Sequence, residues 1–367
     1  MCFNSPVSYI TIQLPFNVSG KVAGELLSTA WLFRMAVHRV LDTARQHEVL
    51  PRSRIGWERA FHKVAYDVIP QSDYADGAVV LVMGAYKSCR VLGLDFKSVE
   101  LSDWLLFQPS KLSRKVGSIA LKPNYEFHVS VIGYDGSYDR VVLRPVVSGD
   151  FSLILDSVLD YGIEYMGRIV VRDYGVRDGK LWVRGGVHLT VPLLAYYKIM
   201  ARYLENNGSL QGGVDVNVDR INLAIIGEDG ELIDHRTFWY REVTSRGYPR
   251  GRAWSIIGMR IHELLNYARN NGVRVLYLEN PGIIGKLRLM WVRNGNRGYE
   301  NYNYRVSAFR STIVEKIAMK APLYSISVGY VNPRGTSSSK AHDELMRRHG
   351  LDRHTASAYL IALMGTR

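Results

Sequence analysis

The chain has 367 residues, 47% of them hydrophobic and 22% charged, the balance of a folded globular protein with room for two or three domains. Lysine and arginine number 47 against 34 aspartate and glutamate, a net charge of +13 that favours a polyanionic partner. No apolar run approaches the ~18 residues that cross a bilayer, no signal-peptide pattern is visible, and two cysteines, Cys2 and Cys89, cannot build a disulfide framework or a four-cysteine zinc site. A soluble, cytoplasmic protein without a membrane partner is expected.

In chain order, residues 7–14 alternate and are rich in β-formers, which predicts a strand. Residues 20–46 then carry Leu26, Leu27, Ala30, Phe33, Val37, Val40 and Leu41 at helical spacing. Two more helices are predicted over 54–69 and 75–92, so a helical insert follows a single strand. From 94 to 194 the pattern changes to short strands, punctuated by the hairpin signals Asp135-Gly136 and Asp178-Gly179, and reads as a β-barrel or sandwich to which the first strand belongs. A helix is expected from 194 to 205, and the polar, Gly-rich stretch 206–213 marks a domain boundary. Beyond it come strands at 214–226 and 232–240, a helix at 253–271, a strand at 273–278, a helix at 306–319, a strand at 325–331 and a last helix at 352–364. Strands followed by alternating helix and strand fit an α/β domain with a mixed sheet.

Three places in this second half carry chemistry. Asp215 interrupts a strand whose valines at 214, 216 and 218 face the other side, and an acid there is costly unless paired or metal-bound. Glu279 ends an apolar strand just before Asn280-Pro281, and strand ends are where α/β sheets bind ligands. Asp352 and His354 open the last helix. Each has a plainer reading: Asp215 as a hydrogen-bonded strand residue, Glu279 as a solvated loop acid, Asp352 as a helix cap and His354 as a first-turn residue. Together they can converge on one or two divalent cations ~4 Å apart, the arrangement of two-metal phosphoryl transfer, and their oxygens suit Mg²⁺ or Mn²⁺.

The segment from about residue 212 onward resembles the RuvC-like nuclease domain of the TnpB/OrfB family, transposon-encoded relatives of the type V CRISPR effectors. Gly213-Val-Asp215 running on to Asn222-Leu-Ala224 is similar to its first motif, and Leu276-Tyr-Leu-Glu279-Asn280 resembles its second. Asn332-Pro-Arg-Gly-Thr336-Ser337 is similar to the segment that leads into the family's zinc ribbon, and Asp352-Arg-His354-Thr-Ala-Ser-Ala358 to its third motif. Two departures stand out. Ser338 and Ser339 follow where ribbon cysteines are usual, so no structural zinc is expected. By register His354 takes the place of the family's usual aspartate, leaving His354 or Asp352 to complete the metal site.

The resemblance implies an α+β multidomain protein. An RNase H-like (RuvC) α/β domain occupies 212–367, a wedge-like β-barrel occupies 1–15 and 94–205, and a helical recognition-like insert occupies 16–93. It also implies DNA and a guide RNA as partners. A basic, aromatic stretch agrees with that: Lys286, Arg288, Arg293, Arg297, Arg305 and Arg310 are interleaved with Trp291, Tyr302 and Tyr304. Such a mixture neutralises phosphates and stacks on bases. Basic residues at 111–115, with Lys122 nearby, and at 241–252 add non-specific phosphate contacts. The expected function is a metal-dependent, RNA-guided DNA endonuclease of a mobile element, with Asp215, Glu279 and His354 or Asp352 as metal ligands and catalytic groups. The alternatives are a nuclease-inactive RNA-guided DNA binder and a structure-specific nuclease without guide RNA. A ribokinase- or actin-like ATPase, which also has a Gly-Val-Asp strand, is disfavoured because no phosphate-binding Gly-rich loop of the P-loop kind is present and the basic surface fits it poorly.

Overall fold

The computed structural model describes residues 9–92, 94–110, 117–201, 206–245, 247–281, 290–292, 298–332 and 340–366, with 91–92, 250, 290–292 and 298–308 described by backbone alone. The chain divides into two compact units, residues 1–199 with 286–301 and residues 200–285 with 302–367. No helix among the described residues is long and apolar enough to cross a membrane.

In the first unit β1 (Tyr9–Ser19) turns at Gly20, whose φ of 66° suits glycine, straight into α1 (Lys21–Gln46). The buried stripe of α1, from Ala23 and Leu26 to Leu41 and Ala44, has the spacing read from the sequence. α2 (Arg54–Tyr66) is capped by Ser53, whose hydroxyl accepts from the Gly56 N–H, and α3 (Ser72–Leu92) completes the helical segment.

The strands that follow are β2 (Val99–Leu101), β3 (Leu105–Phe107), β4 (Ile119–Lys122), β5 (Glu126–Ile132), β6 (Tyr138–Leu143), β7 (Met166–Arg177) and β8 (Lys180–Pro192). They form an antiparallel sheet in the order β1-β8-β7-β3 and a separate β4-β5-β6 meander, while β2 pairs with β13 (Met290–Val292). Among the described residues these are separate sheets, none of them closed on itself by hydrogen bonds.

One helix was not expected here. α4 (Gly149–Tyr161) buries only Ile154, Leu155 and Val158, a stripe too narrow to stand out, although Ser148 before it and the left-handed Gly162 after it are ordinary helix boundaries. α5 (Leu193–Met200) ends the unit's main segment.

The second unit is built on a five-stranded mixed sheet. The strands β9 (Leu210–Val216), β10 (Arg220–Ile226), β11 (Leu232–Trp239), β12 (Val273–Glu279) and β14 (Ser327–Val331) lie in the order β11-β10-β9-β12-β14. β9, β10 and β11 are antiparallel neighbours, and β12 runs parallel to both β9 and β14. The single strand expected over 214–226 is two strands. Its valine alternation runs unbroken to Val218, but Asn217 and Asp219 are turn formers, and the Asn217 N–H closes a tight turn on the Arg220 carbonyl at 2.9 Å.

Helices cover both faces of this sheet. α6 (Arg250–Asn270) and α7 (Gly298–Lys320) pack Ile257, Ile261, Leu264, Ile313 and Ile317 against Val214, Leu223, Leu276 and Leu278. On the other face α8 (Lys340–His349) and α9 (Arg353–Gly365) pack Leu345, Ala358, Tyr359 and Ala362 against Ala224 and Ile226. Gly213 permits this second layer. A Cβ there would stand 2.1 Å from the Ala358 carbonyl oxygen and 2.4 Å from the Ala362 nitrogen, so α9 lies directly on β9 only because residue 213 has no side chain.

Candidate active site

Asp215 is 4% exposed on β9, between buried Val214 and Val216. A carboxylate in that position needs partners, and three side chains supply them. Asn217 Nδ2 donates to Oδ2 at 2.7 Å, His354 Nδ1 lies 3.2 Å from the same oxygen, and Arg310 Nη2 lies 3.3 Å from Oδ1. Its cross-strand neighbour Asn222 donates through Nδ2 to Thr237 and Thr355, and Asn222 Oδ1 is buried with no hydrogen-bond partner among the described residues.

Glu279 is the last residue of β12. The parallel register sets Leu278 beside Val214, so Glu279 comes level with Asp215 at the carboxyl end of the neighbouring strand. Arg310 Nη2, from α7, lies 3.6 Å from Glu279 Oε2 and thus serves both carboxylates. Its Nε donates to the Val216 carbonyl, which fixes the guanidinium between the two strands. A small cleft of about 40 Å³ opens here, lined by Val216, Glu279, Pro281, Arg310 and Ser311 among others. That volume holds a water-sized occupant.

α9 brings His354 in from the opposite face, and Asp352 caps it. The Asp352 carboxylate accepts from the backbone N–H groups of His354 (2.9 Å) and Thr355 (3.2 Å) and from Thr355 Oγ1 (2.6 Å). Burial opposes the charge on Asp352, but these hydrogen bonds and the nearby His354 hold its carboxyl below the usual range. Of the two candidates for the last position, His354 therefore faces Asp215 while both Asp352 oxygens are engaged in their own helix turn.

The donor set fits a divalent cation. Two carboxylates from adjacent strand ends already share one positive group beside a water-sized cleft, and oxygen donors suit Mg²⁺ or Mn²⁺. Among the described residues no three His, Cys, Asp or Glu side chains converge on one point. His354 instead orients Asp215, the service a metal ligand commonly receives from its outer neighbours.

The basic, aromatic candidates fare differently. Lys286, Arg288, Arg293 and Arg297 lie outside the described residues, as do residues 111–115 and the Thr336-Ser337 segment. Trp291 falls on β13, and Tyr302, Tyr304 and Arg305 fall on α7, where the backbone alone is described. Arg310, expected to face nucleic acid, has its guanidinium on Asp215 and Glu279. Sequence reasoning missed this role, and it missed Asn217 as the second support of Asp215. An Asn two positions along the same strand face was the available signal for the latter.

No protein-family model matches the chain. Two uncharacterized proteins of Aeropyrum pernix are each 52% identical to it over 359 residues, spanning 98% of this chain and 97% and 86% of their own lengths, and the chain belongs to their family. An uncharacterized protein of Saccharolobus solfataricus is 34% identical over 179 residues, 49% of this chain and 47% of its own. Among solved structures, the chain is similar to Cas12f1 in complex with sgRNA and target DNA, with a TM-score of 0.42 at 10% identity over 94% of this chain and 82% of that one. It is also similar to T. thermophilus RuvC bound to a Holliday junction substrate, with a TM-score of 0.29 at 16% identity over 42% of this chain and 90% of that one. At these scores the functional reading falls to the chain's own residues around Asp215.

Proposed function

We propose that this chain is a metal-dependent nuclease of the RuvC-like kind, acting on DNA and directed by a guide RNA, and related to the TnpB/OrfB proteins its motifs resemble. One observation carries the reading: Asp215 and Glu279 stand at adjacent ends of parallel strands, share Arg310, and meet His354 from a helix that Gly213 lets lie on the sheet. The strand order β11-β10-β9-β12-β14 is the one an RNase H-like domain uses, which supports the same reading. The helices α1 to α3 and the surrounding strands are proposed as the recognition-like insert and the wedge-like part that hold RNA and its paired DNA.

Asp215 and Glu279 would hold Mg²⁺ or Mn²⁺. When bound, such ions activate water and stabilise the leaving oxygen of a phosphodiester. The chain's own residues do the rest. Asn217 and His354 fix the Asp215 carboxylate, and in the metal-free protein Arg310 neutralises the carboxylate pair. In the hydrolysis the water oxygen bonds to phosphorus, the P–O bond to the leaving sugar oxygen breaks, and that oxygen takes a proton.

The test is to sequence the RNA that co-purifies with the full chain, then supply it with matched DNA and Mn²⁺ or Mg²⁺. Cleavage lost in both Asp215→Ala and Glu279→Ala supports the proposal, and cleavage retained in both overturns it. A second reading, a guided DNA binder that no longer cuts, is favoured by His354 in the family's aspartate position and by the guanidinium already on both carboxylates. A discrete RNA with tight DNA binding and no cleavage under either metal would select it.

A further inference from the structure

Trp239 closes β11 with 36% of its surface exposed, and two arginines lie over its ring, Arg220 at 4.1 Å and Arg241 at 3.8 Å from the centroid. Arg220 is its cross-strand partner on β10, and Arg241 opens the 3₁₀ turn that follows. The cluster is firmly seated. Phe238 and Tyr240 on either side of Trp239 are buried, and the Tyr240 hydroxyl reaches the carbonyls of Asn217 at 2.7 Å and Arg220 at 3.0 Å. Arg260 Nε donates to the Trp239 carbonyl at 2.8 Å.

The same register places this cluster relative to Asp215. Asn222 and Thr237 are cross-strand partners in the row that contains Asp215. Arg220 and Trp239 are the next pair on that face, two residues or roughly 7 Å further along the strands. A guanidinium stacked on an indole keeps its N–H edge free and its orientation set, and that edge matches the oxygens of a phosphate. Asp219, 3.0 Å from Arg220, occupies part of that arginine's charge, which leaves exposed Arg241 as the stronger anion ligand.

We propose that Arg241, with Arg220 and Trp239, forms a subsite for the phosphodiester backbone of a single nucleic-acid strand, running it across the ends of β10 and β11 toward Asp215. The subsite rests on the reading of the Asp215 centre as a nucleic-acid site, but its binding is independent of cleavage.

The experiment is fluorescence anisotropy of the full chain with labelled single-stranded DNA and RNA of one sequence, in the absence of metal and over a range of salt. Arg241→Ala is expected to weaken at least one strand about 3–10-fold near 0.1 M salt and to lower its log–log salt slope by about 0.7. The strand that loses more is the one the subsite holds. Trp239→Phe keeps a ring under the guanidinium and retains the affinity, whereas Trp239→Ala loses as much as Arg241→Ala. Unchanged affinity and slope for both strands in Arg241→Ala overturn the proposal, and this exposed substitution decides the matter even where Trp239→Ala fails to fold. Arg241-sensitive binding in a protein that never cuts would overturn the nuclease reading and leave the subsite standing.

Discussion

Replacing Arg310 with glutamine tests the electrostatics of the Asp215–Glu279 pair directly. The guanidinium lies 3.3 Å from one carboxylate and 3.6 Å from the other. At an effective dielectric of about 20, unit charges at such a separation attract by roughly 5 kcal/mol before desolvation, and removing one member of a fully buried pair costs about 3–5 kcal/mol. The Arg310 side chain is 32% exposed, and water there weakens the interaction, so the expected loss of stability is about 2 kcal/mol. The same quantity enters metal binding. A divalent ion that takes both carboxylates must first break the contacts of Arg310, so the free energy they hold is subtracted from the ion's affinity. About 2 kcal/mol corresponds to roughly 30-fold.

Arg310→Gln should therefore unfold more easily in the metal-free protein and bind Mn²⁺ more tightly, by matching free energies. Denaturant unfolding reads the first change and titration calorimetry with Mn²⁺ the second, neither needing nucleic acid. A variant as stable as the parent, or one that binds Mn²⁺ no better, refutes the reasoning. A variant that loses Mn²⁺ altogether would mean that Arg310 supports the ion instead of competing with it.

Three further outcomes follow from the geometry. Gly213→Ala puts a methyl 2.1 Å from the Ala358 carbonyl oxygen, so α9 must shift at a cost of about 2 kcal/mol, and an unchanged unfolding midpoint would contradict the close packing. Asp352→Ala removes the cap of α9 and should cost about 1 kcal/mol while leaving Mn²⁺ affinity intact; a drop in that affinity would make Asp352 a ligand. Because hydrogen bonds hold the Asp352 carboxyl below its ordinary range despite burial, its contribution is present above about pH 4 and lost on further acidification, so the variant's stability profile should be flatter there. Burial, with Arg168 and Arg172 nearby, pushes the His188 imidazole down to about 4, and its Nε2 is buried with no hydrogen-bond partner among the described residues. The unfolded chain takes up that proton near pH 6.5, so stability should fall between about pH 6.5 and 4 by at most about 3 kcal/mol, a slope that His188→Leu should reduce in thermal unfolding across that range.

What was legible in the sequence was whatever repeats locally. The stripe of α1, the apolar run of β12 and the capped start of α9 each carry their period or cap in a few adjacent residues. Asp215, Glu279 and His354 stood out as candidates because each occupies a fixed place in such a segment. Features set by contacts between distant segments stayed hidden. Arg310 looked like one more cation in a basic stretch, and only the packing of α7 on the sheet shows it reaching back to Asp215, 95 residues away in the chain. The Arg220–Trp239 pair needs the β10–β11 register, which no residue spacing announces. α4 escaped because so little of it is buried, while the turn at 217–219 was masked by valines that alternate straight through it.

These long-range contacts bear on which form of the proposed activity the chain performs. A centre with three carboxylates attracts divalent ions through three negative charges. Here the third position is a histidine that contacts Asp215, and an arginine stands on both remaining acids. Each change lowers the negative charge available to an ion, and the two act in the same direction. Restoring charge at one place should then offset its absence at the other. His354→Asp and Arg310→Gln should each tighten Mn²⁺ binding. Made together, they should fall short of the sum of the separate effects if both substitutions relieve the same charge deficit at Asp215. If the two effects simply add, His354 and Arg310 act on separate features of the centre, and its charge is not what separates a cutting form from a binding one.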